Sequence, residues 1–125
     1  MSTVKFTKDH EWILLEDGDV GVIGITDYAQ DQLGELVYVE LPAVEQTFDA
    51  GSDVVVIESV KAAGEVKTPV GGSVVAINEA LVDEPEKVNN DPMGEGWFIK
   101  LKIDDTGELD ALMDEDAYKE YTDDL

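Results

Sequence analysis

The sequence predicts a mainly β protein, an antiparallel β-sandwich or flattened barrel with a short early helix and helices at the C-terminal end. Short apolar runs rich in β-branched residues recur along most of the chain, separated by Gly, Pro, Asn and Asp. Helical spacing of apolar residues occurs in only two places, one early and one at the end. At 125 residues we expect one domain over 1–125, with 108–123 as a helical C-terminal flank.

The individual elements follow from local patterns. Strands are predicted over 11–15, 20–23, 35–41, 73–77 and 97–103, with the two arms of a hairpin inside 54–70. The Asp17-Gly18 pair is typical of the turn between the first two strands, and Gly71-Gly72 is a second turn. Thr26 can cap a short helix that ends before Gly34. The segment 78–96, rich in Pro, Asn and Gly, is predicted to be mostly loop.

The C-terminal stretch has the pattern of an amphipathic helical region. Its apolar residues fall on one face and its acidic residues on the other, and Asp114 can cap the last helix. This stripe favours a flank that packs on the sheet over a device that binds a partner.

The hairpin within 54–70 is the central feature of the chain. A β-branched run enters it, small residues fill the middle, and a shorter apolar run leaves it before Pro69. Lys61 lies at the bend, where a side chain must project away from the protein. Taken by spacing alone, a solvated turn lysine is the favoured interpretation, because turns are usually polar surface. The alternative is an amine presented for attachment of a group that must travel.

The charge excludes several partners. Thirty Asp and Glu against eight Lys give a net charge of −22. We therefore expect neither nucleic acid nor an anionic membrane as a partner. Two explanations compete: steering toward basic docking sites, or adaptation of the whole organism to high salt. The absence of Arg and the even spread of acids favour the second, which predicts stability that falls steeply as salt is withdrawn.

The chain contains no cysteine, so it has no disulfides, thiolate metal ligands or thiol chemistry of its own. Any sulfur redox function must come from an attached group. The segment 1–6 lacks an apolar signal sequence, and no apolar run is long enough to span a bilayer. We expect a cytoplasmic protein.

Most catalytic constellations are missing. His10 is the only histidine, so a zinc site and a Ser-His nucleophile are disfavoured, and a structural hydrogen-bonding role is the favoured interpretation of His10. The glycines of 21–24 lack the further spacing of a phosphate-binding loop. The segment 104–108 resembles a calcium loop only faintly, because the alternating ligand positions are not filled. These observations argue against an independent enzyme.

The motifs across the chain resemble those of the glycine cleavage system H-protein family. The hairpin contributes Glu58-Ser59-Val60-Lys61-Ala62 and Thr68-Pro69-Val70-Gly71-Gly72. The remaining stretches, in the family's order, are Lys8-Asp9-His10-Glu11-Trp12, Gly24-Ile25-Thr26-Asp27-Tyr28-Ala29-Gln30, Leu33-Gly34, Val39-Glu40-Leu41-Pro42, Asn78-Glu79-Ala80-Leu81, Asn89, Pro92 and Gly94-Glu95-Gly96-Trp97.

This resemblance implies a barrel-sandwich hybrid fold of the lipoyl type. It also implies that Lys61 is the covalent attachment site of lipoic acid, the one cofactor expected. The implied partners are glycine decarboxylase, aminomethyltransferase, dihydrolipoyl dehydrogenase and a lipoyl-attaching ligase or transferase. By the same resemblance the protein is a non-catalytic carrier of the aminomethyl group of glycine. We expect it to be a monomer.

Several alternatives stay open at this point. A lipoyl donor or carrier serving 2-oxoacid dehydrogenase complexes could have the same hairpin, although lipoyl domains of those enzymes typically place Asp before the lysine. Biotin carriers flank the lysine with Met, whereas Val60 and Ala62 flank it here. An unmodified structural module is a further alternative. Glu58 could be read by the attaching enzyme or could be a solvated acid at a strand end. The stretch 45–48 departs from the glycine-containing turn expected in relatives.

Overall fold

The computed structural model describes residues 3–16 and 18–124 of the chain. The predicted Asp17-Gly18 turn therefore falls partly outside the described residues, with Gly18 in the left-handed region at φ 81°. Met1 and Ser2, at the start of the segment that lacks a signal sequence, also lie outside them. No helix in the described part of the chain has the length and apolar character needed to cross a membrane.

The order of elements alternates short strands with a few short helices. The strands are β1 (Thr3–Phe6), β2 (Glu11–Glu16), β3 (Val20–Ile25), β4 (Leu36–Glu40), β5 (Thr47–Phe48), β6 (Asp53–Ser59), β7 (Ala63–Lys67), β8 (Gly72–Ile77) and β9 (Ile99–Ile103). The helices are α1 (Asp27–Leu33), α2 (Ala80–Asp83), α3 (Lys87–Asn90) and α4 (Glu115–Asp123), and a 3-10 helix spans Thr106–Ala111.

The strands form two sheets, and every pairing is antiparallel. The larger sheet has the order β1-β2-β3-β9-β8-β5, and the smaller sheet has the order β4-β6-β7. The smaller sheet contains the central hairpin, in which Ile57 lies opposite Gly64 and Glu58 opposite Ala63. The structure is thus a sandwich-like, mainly β fold, which confirms the predicted fold class.

The main core lies between the two sheets. It joins Ile13, Ile23 and Leu101 of the larger sheet with buried side chains of the smaller sheet, among them Val55, Ile57 and Val66. Each of these apolar side chains contributes about 1.5–3 kcal/mol when it is withdrawn from water. Val54 and Val55 are both buried because a register shift interrupts the β6–β7 ladder between Asp53 and Val55.

A second, aromatic cluster lies under the C-terminal helix. It consists of Phe6, Trp12, Val22 and Tyr118, with further side chains packed around it. The Phe6 and Tyr118 rings stack with centroids 4.5 Å apart. Asp114 caps α4 by accepting a hydrogen bond from the Ala117 amide at 2.8 Å, as the sequence predicted. The assignment of 1–125 to one domain with a 108–123 flank stays a prediction.

Helix α1 agrees closely with its prediction. The Thr26 hydroxyl accepts a hydrogen bond from the Ala29 amide at 3.2 Å, and Gly34 ends the helix at φ 82°. The predicted strands are also found, with bounds that differ by one or two residues.

Three sequence predictions were incomplete or wrong. Gly72 is not a turn residue: it begins β8, and a Cβ on it would overlap the Lys102 carbonyl of β9. The predicted loop 78–96 contains the four-residue helices α2 and α3, neither of which has a side-chain cap. Strands β1 and β5 were not predicted, since both are short; β1 pairs with the adjacent β2, whereas the two-residue β5 gains its hydrogen bonds from the distant β8.

Candidate functional site

The tip of the β6–β7 hairpin consists of Val60, Lys61 and Ala62, and Lys61 is exposed there. Ser59 closes the tip: its amide donates a hydrogen bond to the Ala62 carbonyl at 2.7 Å. Its hydroxyl oxygen accepts hydrogen bonds from the amides of Lys61 and Ala62, at 3.2 and 3.0 Å. A small polar residue directly before the bend therefore satisfies the backbone that the bend would otherwise leave unpaired.

The tip is also attached to the rest of the molecule. The Val60 amide donates to the Glu35 carbonyl, in the connection between α1 and β4, at 3.0 Å. The Lys61 stem passes over Gly34, so that a Cβ added to Gly34 would lie 3.2 Å from Lys61 Cε and 3.8 Å from Nζ. Within residues 3–16 and 18–124, the ion pairs are made by Lys87 and Lys100 and none involves Lys61. The bend is thus fixed while its amine stays available.

Glu58 lies three residues before Lys61, on an exposed position of β6 opposite Ala63 and Tyr38. The geometry is compatible with both roles considered for it, recognition by an attaching enzyme or a solvated acid. Thr68, after the hairpin, is buried, and its hydroxyl donates to the Val70 carbonyl at 2.6 Å. This part of the motif therefore fixes the exit of the hairpin.

A cavity of about 240 Å³ opens beside the hairpin. Leu33, Ile57 and Val66 are among the side chains of its apolar wall, and Asp9, Glu11 and Glu65 supply carboxylates. Glu11 is buried, and burial raises the pKa of its carboxyl above the usual range. Hydrogen bonds from the Thr7 hydroxyl at 2.7 Å and the Lys67 amide at 3.4 Å partly oppose this rise.

His10 lines the same cavity and is held in an unusual backbone conformation, with φ at 71°. Its carbonyl accepts a hydrogen bond from the Thr26 amide at 2.9 Å. Its Nδ1 lies 2.8 Å from the Tyr118 hydroxyl, which is 2.7 Å from the Thr26 hydroxyl. These bonds confirm the predicted structural role of His10. Burial lowers the pKa of its imidazole, while Asp9 partly opposes that shift.

The faint calcium-loop motif has its own internal bonding. Asp105 Oδ1 accepts a hydrogen bond from the Gly107 amide at 2.9 Å, and Glu108 Oε1 accepts one from the Gly71 amide at 3.1 Å. The part of the chain that the structure describes has no group of three His, Asp or Glu side chains arranged to hold a metal ion.

Sequence reasoning assigned no role to several residues that support the tip. Gly34 and Asn89 belong to the motifs that resemble the H-protein family, but the sequence does not indicate which residues they contact. The contact of Glu35 could not be found from its residue type, because the Val60 amide binds its backbone carbonyl, which every residue has. Tyr118 lies in the amphipathic C-terminal stretch, and its hydroxyl joins His10 to Thr26, which the apolar pattern does not indicate.

Comparisons with known proteins match this chain to glycine cleavage H proteins over nearly its whole length. The family model described as glycine cleavage H-protein matches residues 4–125. The chain is 50% identical to the glycine cleavage system H protein of Rhodospirillum rubrum over 125 residues, which cover 100% of this chain and 99% of the relative. It is 53% identical to that of Parvibaculum lavamentivorans, with the same coverage of both chains.

A solved structure extends the agreement to three dimensions. The crystal structure of a glycine cleavage system H protein from Mycobacterium marinum superposes with a TM-score of 0.84 at 35% identity. The match covers 98% of this chain and 95% of that one. The chain therefore belongs to the glycine cleavage H-protein family, and its role is that of a lipoyl carrier in the glycine cleavage system.

Proposed function

We propose that Lys61 is the residue that carries the lipoyl group. The observation that supports this most is the tip itself: an exposed primary amine on a bend whose backbone is held by Ser59, Ala62 and Glu35. An attaching enzyme must find this amine in a reproducible position and acylate it. A lysine suits that reaction, because its amine becomes a nucleophile when it loses a proton.

Lipoic acid would be joined to Lys61 Nζ by an amide bond. When bound, the group would supply a cyclic disulfide that opens to hold the aminomethyl group of glycine on one sulfur and closes again on reoxidation. The chain itself has no cysteine. It therefore offers no thiol that could exchange with the attached sulfurs and trap them in a mixed disulfide.

The cavity beside the hairpin fits such a group chemically. Its apolar wall suits the aliphatic chain of the lipoyl group, and its carboxylates suit the amine of an aminomethyl group carried at the end of that chain. Leu33 directly precedes Gly34, over which the Lys61 stem passes, so the cavity adjoins the base of the arm. The residues available to hold the distal part are the apolar Leu33, Ile57 and Val66 and the acidic Glu65.

The catalysis belongs to the partners. We assign glycine decarboxylase, aminomethyltransferase and dihydrolipoyl dehydrogenase as the enzymes that the arm visits, and a ligase or transferase as the enzyme that attaches it. The chain acts as a non-catalytic, monomeric carrier. We place it in the cytoplasm.

The test of attachment is the intact mass of the protein isolated from its native cell. We expect an increment that corresponds to one lipoyl group, and we expect Lys61→Arg to abolish it. The guanidinium keeps the charge but is not an acylation nucleophile. Lys67→Arg, on β7 of the same hairpin, is the matched control and should retain the increment. An increment that survives in Lys61→Arg, or one with the mass of biotin, would overturn the assignment.

A second experiment separates the glycine pathway from lipoyl donation to 2-oxoacid dehydrogenase complexes. The lipoylated protein is mixed with glycine decarboxylase, and exchange of the glycine carboxyl carbon with labelled bicarbonate is measured. We expect exchange that depends on the lipoylated protein and is absent with Lys61→Arg. No exchange with the lipoylated wild type would contradict the carrier assignment.

A further inference from the structure

Asn89, in α3, holds the connection between α1 and β4 by three hydrogen bonds. Its Nδ2 donates to the Gly34 carbonyl at 2.8 Å and to Gln30 Oε1 at 3.0 Å. Its Oδ1 accepts from the Leu36 amide at 2.9 Å. The side chain is half-buried, and both donors of its amide are used. These partners precede it by 53 to 59 residues, so the interaction is wholly tertiary.

The segment that Asn89 holds is the segment on which the hairpin tip rests. Asn89 binds the peptide groups on both sides of Glu35, at Gly34 and at Leu36. The Glu35 carbonyl, which belongs to the same peptide group as the Leu36 amide, accepts the Val60 amide, and Gly34 lies under the Lys61 stem. A continuous path of hydrogen bonds and one side-chain contact therefore leads from Asn89 to the base of Lys61.

The chemistry of the contact requires an amide at this position. Gly34 O and Gln30 Oε1 both need a donor, whereas the Leu36 amide needs an acceptor. An aspartate would keep the acceptor and place a carboxylate oxygen against two other oxygens. An apolar residue of similar size would leave peptide groups of the connection unpaired, which is costly where they are withdrawn from water.

We propose that Asn89 is a positioning residue for Lys61: it fixes the α1–β4 connection and thereby the place at which the hairpin tip presents its amine. This inference rests on the proposed lipoyl attachment at Lys61, but its structural part can be measured without any lipoyl group. The hydrogen bonds of the Asn89 side chain go to Gln30, Gly34 and Leu36, and it acts on Lys61 through Gly34, Glu35 and Val60.

The test compares Asn89→Asp with Asn78→Asp. Asn78 is also half-buried, and its Nδ2 donates to the carbonyls of Glu95 and Trp97, both at 2.8 Å. The control thus makes the same chemical change against two backbone acceptors that are not part of the α1–β4 connection. Two readouts are used on the unlipoylated protein: hydrogen exchange of the Val60 amide, and kcat/KM for lipoylation by a lipoate ligase.

We expect Asn89→Asp to accelerate exchange at Val60 by roughly fivefold to tenfold, the factor that corresponds to one ordinary hydrogen bond. Lipoylation should slow by a similar factor. Asn78→Asp should leave both readouts near the wild-type values, even if it lowers the melting temperature as much. If Asn89→Asp does not fold, Asn89→Ser removes the reach of the side chain without adding charge, and the same effects are expected.

The outcomes separate this inference from the proposed attachment. Equal effects of the two substitutions, or no change at Val60 with slowed lipoylation, would overturn the positioning role. A wild-type protein that gains no lipoyl group at Lys61, with Val60 exchange still accelerated in Asn89→Asp, would overturn the attachment while the control of the tip by Asn89 stands.

Discussion

The hairpin tip and the aromatic cluster under α4 are ordered by opposite means. At the tip the side chains of Val60 and Lys61 are exposed, and the backbone is held by hydrogen bonds to Ser59, Ala62 and Glu35. In the aromatic cluster the side chains themselves are buried, with Phe6 at 5% exposure and Tyr118 at 9%. At the tip the backbone is held while the side chains are exposed to solvent, whereas in the aromatic cluster the side chains are held by packing.

This difference implies that the position of the Lys61 amine and the stability of the protein depend on different regions. Hydrogen bonds at a tip that water can reach contribute modestly to the free energy of unfolding, but they determine where an amine stands. Buried aromatic area contributes far more to that free energy. Substitutions at the tip should therefore change mainly the rate of lipoylation, and substitutions in the aromatic cluster should change mainly the free energy of unfolding.

The largest effect is expected from Phe6→Ala. Loss of the ring that stacks on Tyr118 should lower the free energy of unfolding by about 3–5 kcal/mol, measured by denaturant titration. Lipoylation of the folded protein should stay near the wild-type rate. Val60→Ala, at a side chain that is 64% exposed, is the contrasting change and should cost less than about 0.5 kcal/mol. A slowed lipoylation in Phe6→Ala would show that the two regions are coupled.

Gly34→Ala should combine a stability loss with an effect on the tip. The residue has φ 82° and ψ −162°, a region that is essentially restricted to glycine, so a loss of about 1–3 kcal/mol is expected. The new methyl group would also lie 3.2 Å from Lys61 Cε and should slow lipoylation.

Gly51→Ala is the matched control for Gly34→Ala. Gly51 also has a positive φ, at 87°, but a Cβ on it would meet no atom within 4 Å. Its substitution should therefore lower the melting temperature without changing the lipoylation rate. Equal lipoylation rates in the two variants would mean that the contact between Gly34 and Lys61 has no role in presentation.

Apart from the control substitution Val60→Ala, the smallest effect is expected from protonation of His10. Its folded-state pKa lies below 6.5, so the unfolded chain binds the proton first as the pH falls. Stability from the neutral imidazole is complete above pH 6.5 and is lost as the pH falls through the folded-state pKa. His10 is only partly buried, so solvent screens the effect and we expect less than about 1 kcal/mol.

The measurement compares wild type with His10→Asn across this pH range. Asparagine tolerates the positive φ and removes the titration. The stability advantage of the wild type should therefore shrink as the pH falls below 6.5. Glu11, whose raised pKa acts in the opposite direction, is common to both proteins and cancels in the difference. An advantage that stays constant with pH would show that His10 is not protonated differently on folding.

The predictable parts of this structure are those whose causes are local. Thr26 and Gly34 mark the ends of α1 because capping depends on residues within four positions, and the hairpin follows from its own apolar runs. Strand β5 has only two residues and is stabilised by its pairing with β8, which is distant in the sequence. Helices α2 and α3 could not be predicted because they lie in a segment whose composition favours loops. The contacts of Asn89 bridge more than fifty residues, so no local pattern could reveal them.

The bond between the Val60 amide and the Glu35 carbonyl has a consequence for how several enzymes can share one carrier. With the lipoyl group attached to Lys61, as proposed, this bond holds the backbone at the base of the arm, and the reach of the far end is set by the rotatable bonds of the Lys61 side chain and of the attached group. Lys61 then acts as a pivot rather than as part of a loose tether. Each enzyme must bring its active site onto the same arc around that pivot, and must do so by the way it docks on this rigid body.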